Sequence, residues 1–142
     1  MKIACISTSS VPANTANSIQ VMKVCQGLAQ LGNEVSLWVP GKSHIPWQEL
    51  SAFYGLNTPF TVNWLFSRPR LKRYDFSIAA FQKAAKWQAE VIYTWVPQTA
   101  LLGLLRGYPV VLEVHDRPMG KMGPHLLAWL TKIKGQKRLA VI

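Results

Sequence analysis

The stretch that decides the fold is residues 2–39, KIACISTSSVPANTANSIQVMKVCQGLAQLGNEVSLWV. It opens with an apolar strand, Lys2–Ile6, which is followed by a small polar loop, Ser7–Asn17. Helical spacing of apolar residues then predicts a helix over Ser18–Leu31, and a second apolar strand follows over Glu34–Val39. This order predicts a βαβ unit whose loop lies at the carboxyl end of a parallel strand, where open α/β sheets bind ligands.

The first helix has a predicted inner face of apolar residues at helical spacing. That face consists of Val21, Cys25, Leu28 and Leu31, widened by Ile19, Met22 and Val24. Gln20 falls on the predicted outer face. Gly32 ends the helix, since glycine readily adopts the left-handed conformation that closes a helix.

The rest of the chain continues the alternation of strands and helices. The other predicted strands are Phe60–Phe66, Val91–Trp95, Val110–Val114 and Leu139–Ile142. The other predicted helices cover residues 46–56, a segment that ends near Ala89, Gln98–Arg106 and Gly123–Lys134. The helix that ends near Ala89 has a predicted inner face of Tyr74, Ile78, Phe81 and Ala85.

These elements predict the fold class. Alternating strands and helices with short connections favour an α/β fold with a three-layer, Rossmann-like, doubly wound parallel sheet of six strands. Right-handed crossovers and a reversal after the third strand give the order 3-2-1-4-5-6. We expect residues 1–142 to form a single domain of this kind.

Composition and cysteine content indicate a globular protein whose cysteines are reduced. Hydrophobic residues make up 49% of the 142 residues, which is too many for a disordered chain. No apolar run is long enough to span a bilayer, and the first residues lack the pattern of a signal peptide. We expect Cys5 and Cys25 to be buried reduced thiols rather than a disulfide or a metal site, with cytoplasmic location as the default.

The charge of the chain is unusual. It carries 16 Lys and Arg against 6 Asp and Glu, a net charge of +10. Such an excess indicates an anionic partner, which leaves nucleic acid, a membrane surface and a phosphorylated substrate open.

Four of the basic residues form one cluster, Arg68, Arg70, Lys72 and Arg73. Apolar and aromatic residues, among them Phe66 and Leu71, are interleaved with these charges. One interpretation is a solvated start of a helix; the other is a patch that docks on anionic lipid. Interleaved bases and aromatic rings also suit single-stranded nucleic acid, although we do not expect nucleic acid as the partner.

His115 is the best single candidate for chemistry. It stands at the carboxyl end of the fifth strand, next to the point where the strand order reverses. A neutral imidazole there can hydrogen-bond a sugar hydroxyl, and a protonated one can meet a phosphate. The alternative is a structural histidine that caps the strand. Asp116 could orient His115, stabilise the following turn or bind a hydroxyl.

The loop after the first strand is the candidate anion site. Its backbone N–H groups precede a helix, where anions bind readily, although Asn17 or Ser18 could be no more than the helix N-cap. The loop contains no glycine, and therefore matches neither a dinucleotide-binding nor a Walker pattern. No histidine has a spacing partner that would form a metal site.

Several motifs together resemble one protein family. They are Ile3–Ser7, NTANSIQVMK at 14–23, LGNEV at 31–35, EVHD at 113–116 and GQKRLAVI at 135–142. In this order and spacing they resemble the N-terminal domain of GT-B glycosyltransferases of the retaining family-4 type, the glycosyl transferases of group 1. The resemblance extends over essentially the whole chain.

The resemblance implies a site. It implies transfer of a sugar from a nucleotide-sugar donor to a glycan or lipid-linked acceptor, with retained configuration and without a metal or other cofactor. His115 would contact the donor sugar as the catalytic residue. The loop at the donor phosphates would be Asn14, Thr15, Ala16 and Asn17. We expect the acceptor cleft to include Ser9, Ser10, Gln98 and Asp116.

The resemblance also implies that the chain is one half of an enzyme. The nucleotide-binding residues and the paired glutamates of such enzymes belong to a C-terminal donor domain that these 142 residues do not include. We therefore expect the isolated chain to be inactive and the parent protein to be a hexosyltransferase, peripheral on the inner face of the membrane if the basic cluster binds lipid. The alternative is a non-catalytic basic α/β module that binds an anionic membrane or nucleic acid.

Overall fold

The computed structural model describes residues 1–42, 44–71, 74–115, 123–132 and 139–142. Within these ranges six parallel strands form one sheet in the order β3-β2-β1-β4-β5-β6. The predicted α/β class and the strand order 3-2-1-4-5-6 are therefore confirmed.

The strands and helices alternate along the chain as predicted. The strands are β1 (Lys2–Ile6), β2 (Glu34–Pro40), β3 (Thr61–Leu65), β4 (Val91–Thr94), β5 (Val110–Leu112) and β6 (Leu139–Val141). The helices are α1 (Ala16–Gln30), α2 (Trp47–Tyr54), α3 (Tyr74–Lys86), α4 (Pro97–Leu105) and α5 (Gly123–Lys132), with a short 3-10 turn at Pro69–Leu71.

Helices cover both faces of the sheet. Because successive side chains of a strand point to opposite faces, β1 contributes Ile3 and Cys5 to one core and Ala4 and Ile6 to the other. The first core contains the buried side chains of α1 and α2, and the second contains those of α3, α4 and α5. A strand covered in this way must be apolar along its whole length, which explains the unbroken run in β1.

The predicted inner face of α1 is right in its centre and wrong at its ends. The buried residues are Ser18, Val21, Met22 and Cys25. Ile19 is exposed, and Leu31 is 79% exposed at the C-cap. Leu31 lies six positions after Cys25, which places it about 120° away from that residue around the helix axis.

The predicted inner face of α3 is right at Phe81 and wrong at Tyr74 and Ile78. Phe81 is buried, whereas Tyr74 and Ile78 are exposed, with Ile78 at 47%. Besides Phe81, the helix buries Phe76, Ser77, Ala80 and Ala84 against the sheet. The prediction missed the small side chains at Ser77, Ala80 and Ala84, which leave room for a close approach of the helix to the strands.

Helix α4 also packs closely, and Gly103 makes this possible. A Cβ atom at Gly103 would lie 2.8 Å from Cγ2 of Val110 and 3.6 Å from Cγ1 of Ile92. Both of these side chains are buried in the core, so neither can move away freely. Gly27 of α1 offers a matched contrast, because a Cβ there meets nothing within 4 Å.

We expect Gly103→Ala to destabilise the domain and Gly27→Ala to stabilise it. Overpacking costs about 1–3 kcal/mol, and the better helix propensity of alanine offsets about 1 kcal/mol of this. At Gly27 there is no overpacking, so alanine should raise the free energy of unfolding by about 0.4–1 kcal/mol. Urea denaturation followed by circular dichroism measures both changes. Equal stability of the two variants would contradict the close packing of α4.

Candidate functional site

The carboxyl edge of the sheet brings together the ends of β1, β4 and β5. Ile6 at the end of β1 pairs with Thr94 of β4, whose hydroxyl donates a 2.8 Å hydrogen bond to the Ile6 carbonyl. Thr94 in turn pairs with Leu112 of β5. The segments that follow these strands therefore start at one edge, and they include residues 7–15, Gln98 and residues 113–115.

Serine side chains fold the first part of the loop after β1. Ser7 is buried, and its hydroxyl accepts from the Ser9 N–H at 3.1 Å and donates to the Ser9 hydroxyl at 3.0 Å. Farther along, Ser18 of α1 donates from its hydroxyl to the Ser10 carbonyl at 2.6 Å. Of the two serines predicted for the acceptor cleft, Ser10 is thus held at the start of α1 and Ser9 at Ser7, just after β1.

Thr15 caps α1, which corrects the expectation that Asn17 or Ser18 does so. The extended backbone of Thr15 lets its hydroxyl accept from the Ser18 N–H at 3.3 Å, and the two hydroxyls lie 2.8 Å apart. The helix consequently starts at Ala16, and Asn17 lies inside its first turn. The N–H groups of Ala16 and Asn17 have no hydrogen-bond partner among the described residues, as is usual for a first helical turn.

Two aromatic side chains hold the middle of the same loop. The Tyr54 hydroxyl accepts from the Ala13 N–H at 2.8 Å and donates to the Ala13 carbonyl at 3.1 Å. The Trp64 indole N–H donates to the Val11 carbonyl at 2.7 Å. Burial raises the pKa of Tyr54, and the bond from Ala13 partly opposes that shift. Tyr54 comes from α2 and Trp64 from β3, so the loop is fixed by elements far away in sequence.

An open pocket of about 290 Å³ lies beside this loop. Asn14, Ile19, Phe53 and Tyr54 line it. Phe53 and Ile19 are exposed there, which leaves an apolar wall next to the predicted phosphate loop. Among the predicted site residues that the structure describes, only Asn14 lines this pocket, whereas Gln98 lies half-buried in the first turn of α4.

A buried carboxylate, Glu113, is the residue that sequence reasoning missed. It follows β5 directly and is only 8% exposed. Its Oε2 accepts from the Tyr93 hydroxyl at 2.7 Å, and its Oε1 accepts from the Gln20 amide at 2.5 Å. Gln20 was expected on the outer face of α1, but it turns to this buried acid instead. A charged residue at the end of an apolar strand needs such partners, and that need is the signal by which Glu113 could have been found.

His115 lies against the same carboxylate. Its Nε2 is 2.9 Å from Oε1 of Glu113, while 44% of its side chain is exposed. The structure thus places His115 at the predicted edge with one ring nitrogen occupied and the ring within reach of a ligand. Asp116, which was predicted beside it, lies outside the described residues.

Burial and the charge of Glu113 change the pKa of its neighbour Tyr93. Burial raises the pKa of Tyr93, and the hydrogen bond to Glu113 and the charge of Glu113 raise it further. Tyr93 therefore remains a neutral hydroxyl donor toward the carboxylate at physiological pH.

Cys5 and Cys25 are free and fully buried, as predicted, and burial raises the pKa of Cys25 well above its ordinary value. Such a thiol is unreactive at neutral pH.

An exposed surface with both charged and apolar side chains follows the ends of β2 and β3, at the far end of the same edge. We call Lys42, Phe66, Arg68, Arg70 and Leu71 the basic–apolar patch. All five are exposed, Phe66 at 58%, and the Lys42 ammonium lies 5.3 Å from the centre of the Phe66 ring. Lys72 and Arg73, which were predicted for the same patch, lie outside the described residues.

Two kinds of feature are missing from the described residues. In that part of the chain, no helix is long and apolar enough to cross a membrane. No group of three or more His, Cys, Asp or Glu side chains comes together there in a way that could hold a metal ion.

The fold has counterparts among solved structures. The crystal structure of Acinetobacter baumannii MurG matches with a TM-score of 0.59 and 11% sequence identity, over 94% of this chain and 39% of MurG. A structure described as the glycotransferase of kitacinnamycin matches with a TM-score of 0.48 and 14% identity, over 96% of this chain and 36% of that chain. No family model and no curated protein sequence matches this chain.

The match with MurG concerns the fold. It confirms the expectation that this chain has the fold of the N-terminal domain of a GT-B enzyme, and the chain spans 39% of the length of MurG. Assignment to family 4 stays a prediction.

We expect Tyr54→Phe to loosen the loop after β1. The variant removes both hydrogen bonds to Ala13, each of which contributes about 0.5–1.5 kcal/mol. Amide exchange of Ala13, followed by NMR, should therefore become about tenfold faster. Tyr74→Phe is the matched control, because Tyr74 is exposed on α3. If the Ala13 amide exchanges equally fast in both variants, Tyr54 does not hold the loop.

Proposed function

We propose that this chain is the N-terminal, acceptor-side half of a retaining GT-B glycosyltransferase of the family-4 type. The enzyme would transfer a sugar from a nucleotide-sugar donor to a glycan or lipid-linked acceptor. In that reaction the bond between the anomeric carbon and the diphosphate oxygen breaks. The acceptor oxygen takes that position with retained configuration and gives up its proton to the nucleoside diphosphate, which leaves.

The single observation that carries the proposal is the arrangement of His115 at the carboxyl edge. The histidine is half exposed beside the switch point of the sheet, and Glu113 fixes its ring from behind. Ligands of open α/β sheets bind at this point. A fixed imidazole can hydrogen-bond a hydroxyl of the donor sugar, which is the role expected from the resemblance.

The start of α1 supports contact with the donor diphosphate. The partnerless N–H groups of Ala16 and Asn17 stand at the positive end of the helix dipole, and both favour an anion. Thr15 directs its hydroxyl to Ser18 rather than outward. The contact we propose is therefore made by backbone rather than by side chains.

The donor nucleotide would be held by a second domain. The fold shared with MurG extends over 39% of MurG, so a protein of that design has room for another domain. We expect the other wall of the cleft to come from that domain, opposite the loop after β1. The metal-free chemistry expected from the resemblance is part of this proposal.

We expect His115→Ala in the full-length protein to lower sugar transfer about 100-fold, as the loss of one aligned hydrogen-bond donor or acceptor to the reacting sugar does. A radiolabelled panel of nucleotide sugars, tested against membrane extract as acceptor, measures the transfer. His125→Ala is the matched control, because His125 is exposed on α5.

Two results would contradict this proposal. Unchanged transfer in His115→Ala would remove His115 from the site. Transfer by the isolated 142-residue chain would show that no second domain is needed.

A second candidate function is docking on an anionic membrane, which the basic–apolar patch favours. Phe66 and Leu71 can insert among lipid headgroups while Arg68 and Arg70 bind their phosphates. Such docking is compatible with transfer to a lipid-linked acceptor and would place the protein on the inner face of the membrane. It would also stand alone if the chain were a non-catalytic binding module.

We expect Arg68→Glu/Arg70→Glu to weaken binding to phosphatidylglycerol vesicles about 30-fold, since each basic residue near the surface contributes about 1 kcal/mol. Vesicle flotation measures the bound fraction. Lys83→Glu/Lys86→Glu, on the exposed surface of α3, makes the same change in net charge elsewhere. An equal loss of vesicle binding in the two variants would show that net charge, and not the basic–apolar patch, causes binding. Binding to single-stranded nucleic acid in preference to the vesicles would overturn lipid as the partner.

A further inference from the structure

Glu113 makes more contacts than a structural role at a strand end requires. Its two oxygens meet donors from three elements: Gln20 of α1, Tyr93 of β4 and His115 after β5. A carboxylate only accepts hydrogen bonds, and three donors around one buried acid are the pattern that suits its ionised form. Every nitrogen or oxygen that faces Glu113 in these contacts must therefore supply a hydrogen.

This requirement decides which ring nitrogen of His115 carries a hydrogen. Nε2 lies 2.9 Å from Oε1 of Glu113, a distance at which an Nε2–H group donates. A neutral imidazole has one N–H and one bare nitrogen, so Nδ1 is then the bare nitrogen. Nδ1 has no hydrogen-bond partner among the described residues, and the half-exposed ring leaves it free for a ligand.

Glu113 is itself fixed without the help of His115. Tyr93 holds Oε2 from β4 and Gln20 holds Oε1 from α1, and both donors come from buried or half-buried residues. The orientation of the carboxylate is therefore set by the fold, and the imidazole adapts to it. His115 therefore has one defined tautomer before any ligand binds.

We propose that Glu113 is a positioning residue that holds His115 in the Nε2–H tautomer, so that Nδ1 accepts a hydrogen bond from a ligand hydroxyl. This gives the ligand group its chemical class: a hydroxyl donor, and not a carbonyl or ether oxygen. The identification of that hydroxyl with one of the donor sugar rests on the proposed function; the tautomer does not.

The test is long-range ¹H–¹⁵N NMR of the histidine rings at pH 8, because nitrogen shifts distinguish the two tautomers. The chain has three histidines, and His115→Gln identifies the signal of His115. In the wild type we expect the Nε2–H form to make up more than about nine-tenths of the neutral ring.

Three variants separate positioning from stability. Glu113→Gln retains an acceptor oxygen and should retain the Nε2–H form. Tyr93→Phe removes only the partner of the other oxygen, Oε2, and should also retain it. Glu113→Leu/Tyr93→Phe removes the acceptor and leaves no unpaired tyrosine hydroxyl, and it should give a mixture of both tautomers. Circular dichroism reports whether each variant is folded.

The outcomes are distinct from those of the transferase test. A wild-type ring in the Nδ1–H form overturns the positioning role whether or not the protein transfers sugar, and it decides the matter even if the double variant does not fold. A fraction of the Nε2–H form that does not fall in the folded double variant also overturns it. An Nε2–H form that depends on Glu113, in a protein without transferase activity, supports the positioning role and rejects the sugar as the ligand.

Discussion

The parallel pairing of β1 on both of its edges is the constraint on which the rest of the structure depends. β2 and β4 pair with the same residues, Ile3 to Ile6, and helices cover both faces. Because its backbone pairs with two strands and its side chains pack in two cores, β1 is fixed in one position and one register. The chain leaves it at Ser7 on the carboxyl edge, where β4 and β5 end as well. Because of this one constraint the loop, Tyr93 and Glu113 lie near each other.

The loop after β1, for which we propose phosphate contact, obtains its shape in an unusual way. Loops that cradle phosphates commonly use glycine, which adopts tight turns and lets a ligand approach the backbone. This loop has no glycine, and its carbonyl and N–H groups are held by Ser18, Tyr54 and Trp64 instead. These bonds come from three different elements, so the loop conformation depends on the completed fold rather than on local flexibility.

The strand order could be predicted because the alternation of elements indicates a doubly wound sheet, for which right-handed crossovers and one reversal set the order. Helix faces were predicted less well: Ile78 was placed on the inner face of α3, which Phe76, Phe81 and small residues in fact form. Glu113 and Gln20 were missed for a different reason. A charge at the end of an apolar strand signals that Glu113 needs partners, but only the tertiary contact between α1 and the end of β5 shows that Gln20 is one of them. The identity of such a partner has no local sequence signature.

Helix α1 connects the two halves of the candidate site. Ser18, in its first turn, holds the loop at Ser10, and Gln20, two residues later, holds the carboxylate of Glu113. A shift of α1 along or around its axis would therefore disturb the loop and the support of His115 together. Since the buried stripe around Val21 and Cys25 packs the helix against the sheet, such a shift would also disrupt core packing. The same burial that stabilises the fold thus fixes the distance between the loop after β1 and the histidine.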